Sequence, residues 1–315
     1  MRFLIPYFIF FFFVKNLCAG PSITYDMSGG RFGDNIIAYM HAKWVSYYCQ
    51  IPLIYKPFPY SSELMLDEKE INASQCQLFE SSMRLGAFSE PCGVQSSTLF
   101  ICPWFSEIEP GMKNDENYYF PINWKNKEFQ TMLREMVSPK RSLQLTYPPS
   151  DKISIAIHLR EGGGYDTGNY FHWMALKFPP LSYYVESLIK ILDFFKGKQF
   201  YCHLFTDASN PKALVEQIQQ CLPADAQVVF HFREKDNFHC VNVLEDFFSL
   251  FHFDILIRPQ SHFSIAAACI QDYAIVCSPL SYSINDNIVT IEDVHVAIDN
   301  DLFEKCMKKD TNLSR

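Results

Sequence analysis

Four short stretches of the sequence place glycine, hydroxyl and charged side chains directly after an apolar run. Ile153–Ile157 is followed by His158, Leu159, Arg160 and Glu161, then by Gly162, Gly163, Gly164, Tyr165 and Asp166. Phe200–Phe205 is followed by Thr206 and Asp207. Asp254–Ile257 is followed by Arg258, Pro259, Gln260, Ser261, His262, Phe263 and Ser264. Ile23–Met27 is followed by Gly29, Gly30, Arg31, Phe32, Gly33, Asp34 and Asn35. Glycine lets backbone approach a ligand, and the free N–H groups of a helix start bind phosphate. Arg160 offers a planar fork that matches a diphosphate. Asp207 is a carboxylate able to accept from a base or ribose, and Ser261 and Ser264 bring hydroxyls to the same anion. Together these groups describe a site for a nucleoside diphosphate.

Each residue also has a local use. Gly29–Asn35 can be a tight strand-to-helix turn, and Ser261 an N-cap. Asp207 can cap a helix that starts at Pro211, His158 can be a hydrogen-bonded histidine at a strand end, and Glu245 and Asp246 suit an early helical turn. The functional reading rests on the loops converging on one sheet edge.

The elements that must position them alternate. Short β-branched or apolar runs at Ile153–Ile157, Phe200–Phe205, Gln227–His231, Asp254–Ile257 and Ala274–Cys277 read as strands. Apolar spacing predicts helices over Leu181–Phe195, Pro211–Cys221, Val243–Phe251 and His262–Ile270. Such alternation predicts a parallel sheet with helices on both faces, and ligands then bind beyond the carboxyl ends of the strands. The first half is less regular, with a strand at Ile23–Met27 and a helix from Ile36 to Tyr48. The Gln144–Lys152 stretch, with Pro148-Pro149, marks a boundary. The expected organisation is an N-terminal α/β lobe over 20–147, a nucleotide-fold lobe over 151–300, and a tail over 301–315.

The chain has 315 residues, with 48% hydrophobic residues, 20% charged and a net charge of −8. That composition is globular, and the acidic balance argues against a nucleic-acid binder. Only the apolar run Phe3–Val14 resembles a membrane segment. It is shorter than the ~20 residues of a spanning helix and suits a signal peptide over 1–19, or a short anchor. The expected location is the lumen of the secretory pathway, or outside the cell. Eleven cysteines include no C-x-x-C pair, which leaves zinc-ribbon and thioredoxin readings without support. Cys76, Cys92 and Cys102 are the expected disulfide partners, whereas Cys202, Cys269 and Cys277 sit in apolar runs as core residues. Sequons stand at Asn72 and Asn312.

These segments resemble, in order, those of the fucosyltransferase superfamily of protein O-fucosyltransferases and α1,2- and α1,6-fucosyltransferases. Gly30–Asn35, G-R-F-G-D-N, is similar to the O-fucosyltransferase G-R-F-G-N-Q loop. Ile155–Gly162, I-A-I-H-L-R-E-G, resembles the H-x-R motif that closes a strand, and Leu204–Asp207 the strand-end S/T-D segment. Asp254–Ser264 resembles the S-x-F-S segment, and Leu181–Val185 the helix after the H-x-R loop in the α1,2 branch. The resemblance implies a GT-B-like α/β fold of two Rossmann-like lobes, a GDP-fucose donor, inversion, and no obligatory metal or other cofactor. It implies that Arg160 neutralises the diphosphate, that His158 and Asp207 hold the guanosine, and that Ser261, His262, Phe263 and Ser264 line the phosphates. Gly30, Arg31, Gly33 and Asn35 would form the opposing, acceptor-side loop.

The departures are specific. The H-x-R-x-G-D spacing is stretched to R-E-G-G-G-Y-D, and Asp34 replaces the family's asparagine. Asp34, Glu161 and Asp166 are the candidate general bases, with Asp34 preferred. The acceptor would be a glycan or protein hydroxyl, and membrane contact would come only through an N-terminal anchor. Asp299-Asn300-Asp301 is the only D-x-D and reads as a turn or cap. A non-catalytic carbohydrate- or nucleotide-binding protein with a degenerate transferase fold is the alternative. A disulfide-bonded interaction protein is a third.

Overall fold

The computed structural model describes residues 20–27, 29–75, 79–85, 91–103, 122–161 and 174–309. The chain divides into two units, Met1–Ser142 and Leu143–Arg315.

In the first unit, β1 (Ser22–Tyr25) leads into α1 (Phe32–Cys49), followed by β2 (Ile54–Tyr55), α2 (Leu66–Lys69) and β3 (Ile71–Asn72). The unit continues with β4 (Ser81–Arg84), β5 (Thr98–Cys102) and α3 (Lys127–Val137). β1 pairs in parallel with β5, and β5 with β4. β2 pairs in parallel with β3, and a parallel bridge from Ile23 to Leu53 joins this pair to β1. The first unit therefore carries a three-stranded parallel sheet, β1-β5-β4, with the β2-β3 pair attached at its β1 edge. All four residues of β1 are buried, as expected of a strand covered on both faces. α1 begins four residues before the expected Ile36, because Asp34 closes its first turn. Ile36, Ile37, Tyr39 and Met40 are all fully buried, so the helix is enclosed on more than one side.

The second unit runs β6 (Ile153–Leu159), α4 (Leu181–Phe194), β7 (Phe200–Thr206), α5 (Pro211–Cys221), β8 (Val228–Phe232) and α6 (Val243–Leu250). It continues with β9 (Ile255–Ile257), α7 (His262–Ile270), β10 (Ile275–Asn285), β11 (Ile288–Ile298) and α8 (Asn300–Met307). The sheet order is β11-β10-β9-β6-β7-β8. The chain builds outward from β6 through β7 and β8, then crosses to place β9 and β10 on the other side. The order therefore reverses between β6 and β9. Ile153, Ile155, Ile157 and Leu159 share one core with Leu188, Ile191 and Phe195 from the α4 region. Alternation puts Ser154, Ala156 and His158 on the opposite face. Burying such an aliphatic side chain is worth about 1.5–3 kcal/mol, which makes β6 the rigid centre of the unit.

Three features depart from the sequence reading. β10 does not end at Cys277. It continues into a hairpin with antiparallel β11, so the sheet is not wholly parallel. Asp286 and Asn287 both have positive φ at its tip, a turn in which Asn and Asp are tolerated. The stretch after residue 300 begins with α8, which buries Cys306 and whose N-cap Asp299 accepts from the Leu302 N–H. The disulfide joins Cys92 to Cys49, at the end of α1, and not to another member of the Cys76, Cys92 and Cys102 set. Cys102 is buried on β5, and Cys76 lies outside the described residues. Cys202, Cys269 and Cys277 are buried.

Candidate functional site

β9, β6 and β7 are neighbours, so the loops that leave their carboxyl ends lie side by side. Arg160 follows β6, Asp207 follows β7, and Ser261 starts α7 after β9. Asp207 ties the loop after β7 to the loop after β6. One carboxylate oxygen lies 3.8 Å from Arg160 Nε, and both side chains are only 11% exposed. The other oxygen accepts from the Glu161 backbone N–H at 2.8 Å. Asp207 does not cap α5. That role falls to Asn210, whose side chain accepts from the Ala213 N–H.

The guanidinium of Arg160 also lies over the Phe178 ring, 5.0 Å from its centroid. Beneath the loop, Tyr184 is fully buried. Burial pushes its hydroxyl well above its ordinary pKa, and Arg160, first through its backbone and then through its charge, draws it partly back.

His158, the penultimate residue of β6, points to the face opposite the aliphatic core. Its Nδ1 is 2.8 Å from Ser264 Oγ, and its ring packs on Phe263 with centroids 5.3 Å apart. Ser264 Oγ donates to the Ser261 carbonyl at 3.3 Å. With that hydroxyl proton committed, the shared proton is assigned to His158 Nδ1, leaving Nε2 as an acceptor. Burial, then the Arg160 charge, pushes the imidazole down to about 3 despite the opposing pull of Asp207. His158 is therefore neutral at physiological pH and acts as a hydrogen-bonding group.

Ser261 is buried at the N-cap of α7, but its side chain makes no capping bond. His262 and Phe263 are half-buried in the first turn, and Phe263 also meets Phe247 of α6 at 5.4 Å. Glu161 is exposed, and partial burial of its carboxyl, then Asp207, raises its pKa. Asp166 and the three glycines before it lie outside the described residues.

The loop of the first unit forms its own closed arrangement. The Asp34 carboxylate accepts from the Arg31 N–H at 3.0 Å, and the Asn35 side chain donates to the Gly30 carbonyl at 3.1 Å. A Cβ on Gly30 would stand 2.4 Å from Asp34 Oδ2. Gly30, Asp34 and Asn35 thus shape the start of α1, while Gly33 is buried within its first turn. Among the described residues, no group of three His, Cys, Asp or Glu could hold a metal ion. No described helix is long and apolar enough to cross a membrane.

Sequence reasoning missed the part played by Phe178. It is a lone aromatic ahead of Pro179-Pro180, with no periodic pattern to single it out.

Neither a family model nor a curated protein sequence matches the chain. Solved structures do. Fucosyltransferase NodZ from Bradyrhizobium is 12% identical, with a TM-score of 0.50 over 89% of this chain and 99% of that one. FUT1 of Arabidopsis thaliana, solved with GDP, is 11% identical, with a TM-score of 0.49 over 88% and 79%. POFUT1, solved with GDP-fucose, is 11% identical, with a TM-score of 0.45 over 82% and 95%. The chain shares the α/β fold of fucosyltransferase NodZ. In that fold the reversal of strand order between β6 and β9 is where an open parallel sheet takes its ligand, and His158 and Ser264 meet across it.

Proposed function

We propose that this chain is a glycosyltransferase that moves fucose from GDP-fucose, with inversion, to a hydroxyl of a glycan or protein. The observation that carries the reading is the Arg160–Asp207 pair beyond the carboxyl ends of β6 and β7, with the start of α7 tied to the end of the same β6 through His158 and Ser264. The fold shared with NodZ supports it, and the ordered sequence resemblance supplies the donor. The reaction builds charge on departing GDP while the sugar carbon takes on oxocarbenium character. Arg160 neutralises that charge with its planar fork, and Ser261, His262 and Ser264 present the start of α7 to the same phosphates. His158, kept neutral, offers an acceptor to the guanosine side. Glu161 carries the raised pKa that suits a base for the acceptor hydroxyl. Asp34 stands second, because its carboxylate already accepts from Arg31. Arg160 and the helix start take the part a metal would play, so full activity is expected in the presence of a chelator.

The compartment follows the same reading. The first 19 residues form a leader or an anchor, and the Cys49–Cys92 disulfide supports an oxidising lumen. The test is calorimetry of GDP and GDP-fucose on the purified protein, with Arg160→Ala beside it. Binding lost in that variant is the expected result. A folded wild-type protein that binds neither ligand rules the reading out.

A second reading, a nucleotide-binding protein without turnover, is favoured by the commitment of Asp34 to the start of α1. Saturable GDP binding, with no GDP release from GDP-fucose across an acceptor panel, would establish it.

A further inference from the structure

The turn before α4 touches both loops of the candidate site. Its backbone is closed by the Lys177 and Phe178 N–H groups, which both donate to the Met174 carbonyl, at 2.8 and 2.9 Å. From one side of this turn the Leu176 carbonyl accepts from the Gln260 N–H at 2.8 Å, next to Ser261. From the other, the Phe178 ring lies under the Arg160 guanidinium at 5.0 Å. Phe178 is itself buried. Gln260 is tied on its far side as well, its side chain donating to the Pro279 carbonyl at 2.9 Å.

We infer that Phe178 is a positioning residue that holds the Arg160 guanidinium, in register with the Ser261 loop, for an anionic diphosphate. This rests on the donor-site reading above. The Asp207 carboxylate meets the guanidinium at one edge, through Nε. An aromatic face beneath the guanidinium plane fixes the plane itself and leaves its N–H edge for oxygen ligands. Positive charge attracted to a buried ring face is also kept in place without a second carboxylate, which would repel a diphosphate. Ordering the side chain before the ligand arrives lowers the entropy lost on binding.

The experiment uses the full chain and GDP as the probe. Phenylalanine at 178 is replaced by its mono-, di- and trifluorinated forms, which drain the ring's negative face with little change of shape. Phe178→Leu and Phe178→Tyr are measured beside them, and circular dichroism checks the fold of each. GDP affinity is expected to fall stepwise with fluorination, reaching about 3- to 30-fold at the end of the series, the range that a ring–cation contact supports. Phe178→Tyr is expected to retain affinity and Phe178→Leu to lose it. A flat response to fluorination with loss only in Phe178→Leu makes the ring a space-filler and overturns the inference. Wild-type binding with every variant unchanged overturns it too, while leaving the donor site standing. Wild-type protein that does not bind GDP removes the donor-site reading and this inference with it.

Discussion

The imidazole of His158 and the hydroxyl of Ser264 lie 2.8 Å apart, although 106 residues separate them in sequence. The contact ties the end of β6 to the first turn of α7 across the point where strand order reverses. It holds the start of α7 at a fixed distance from the Arg160 loop, which leaves β6 two residues later.

Arg160 and Asp207 are expected to separate by their variants. Arg160→Ala should lower the rate of GDP release from GDP-fucose by about 10²–10³, the cost of losing a donor to developing charge. Arg160→Lys should recover only part, since an ammonium lacks the planar fork. Asp207→Asn keeps an acceptor for the Glu161 N–H but loses the ion pair with Arg160, and should fall between wild type and Asp207→Ala. Steady-state kinetics on wild type and the four variants checks the order.

Stability should fall as the solution is acidified through the histidine range. His158 and His203 are each held down to about 3 by burial, from an ordinary value of 6.5. Between those values the unfolded chain binds protons that the folded chain refuses, so stability rises with pH. The contribution is whole above about pH 6.5 and is lost progressively towards pH 3. Urea unfolding at several pH values should show this slope, and His203→Gln should make it shallower.

Gly30 and Asp34 test whether the glycine loop serves the helix. Gly30→Ala pushes a Cβ against the Asp34 carboxylate, and Asp34→Ala removes the acceptor for the Arg31 N–H. Each should cost about 0.5–2 kcal/mol in chemical denaturation. Asp34→Asn should restore stability, because an amide oxygen at this third helical position can still accept from the Arg31 N–H. If that variant is stable and yet inactive, the carboxylate takes part in the reaction as a base.

The disulfide between Cys49 and Cys92 closes a loop across a sequence separation of 43. Replacing both cysteines by serine should destabilise the chain by about 2–4 kcal/mol. Thermal unfolding, with and without reductant, measures it. Reductant should move wild type towards the variant and leave the variant unchanged.

Local order was legible in the sequence wherever the signal is local. Pro211–Cys221 and His262–Ile270 are helices with the bounds that apolar spacing predicts, and the five strands expected in the second half all form. The β10–β11 hairpin went unread because Asn285, Asp286 and Asn287 hide a two-residue turn in a polar run. Helix and strand periods are written within a few residues, as are the loops that follow each strand, so the chemistry of His158, Arg160, Asp207 and Ser261 could be listed from the chain alone. Adjacency is not written locally. That β9 lies against β6, that Phe178 lies under Arg160 and that Cys92 pairs with Cys49 depend on how distant apolar faces share one core. Only the tertiary structure decided those contacts, because each is the outcome of long-range packing that no short stretch of residues encodes.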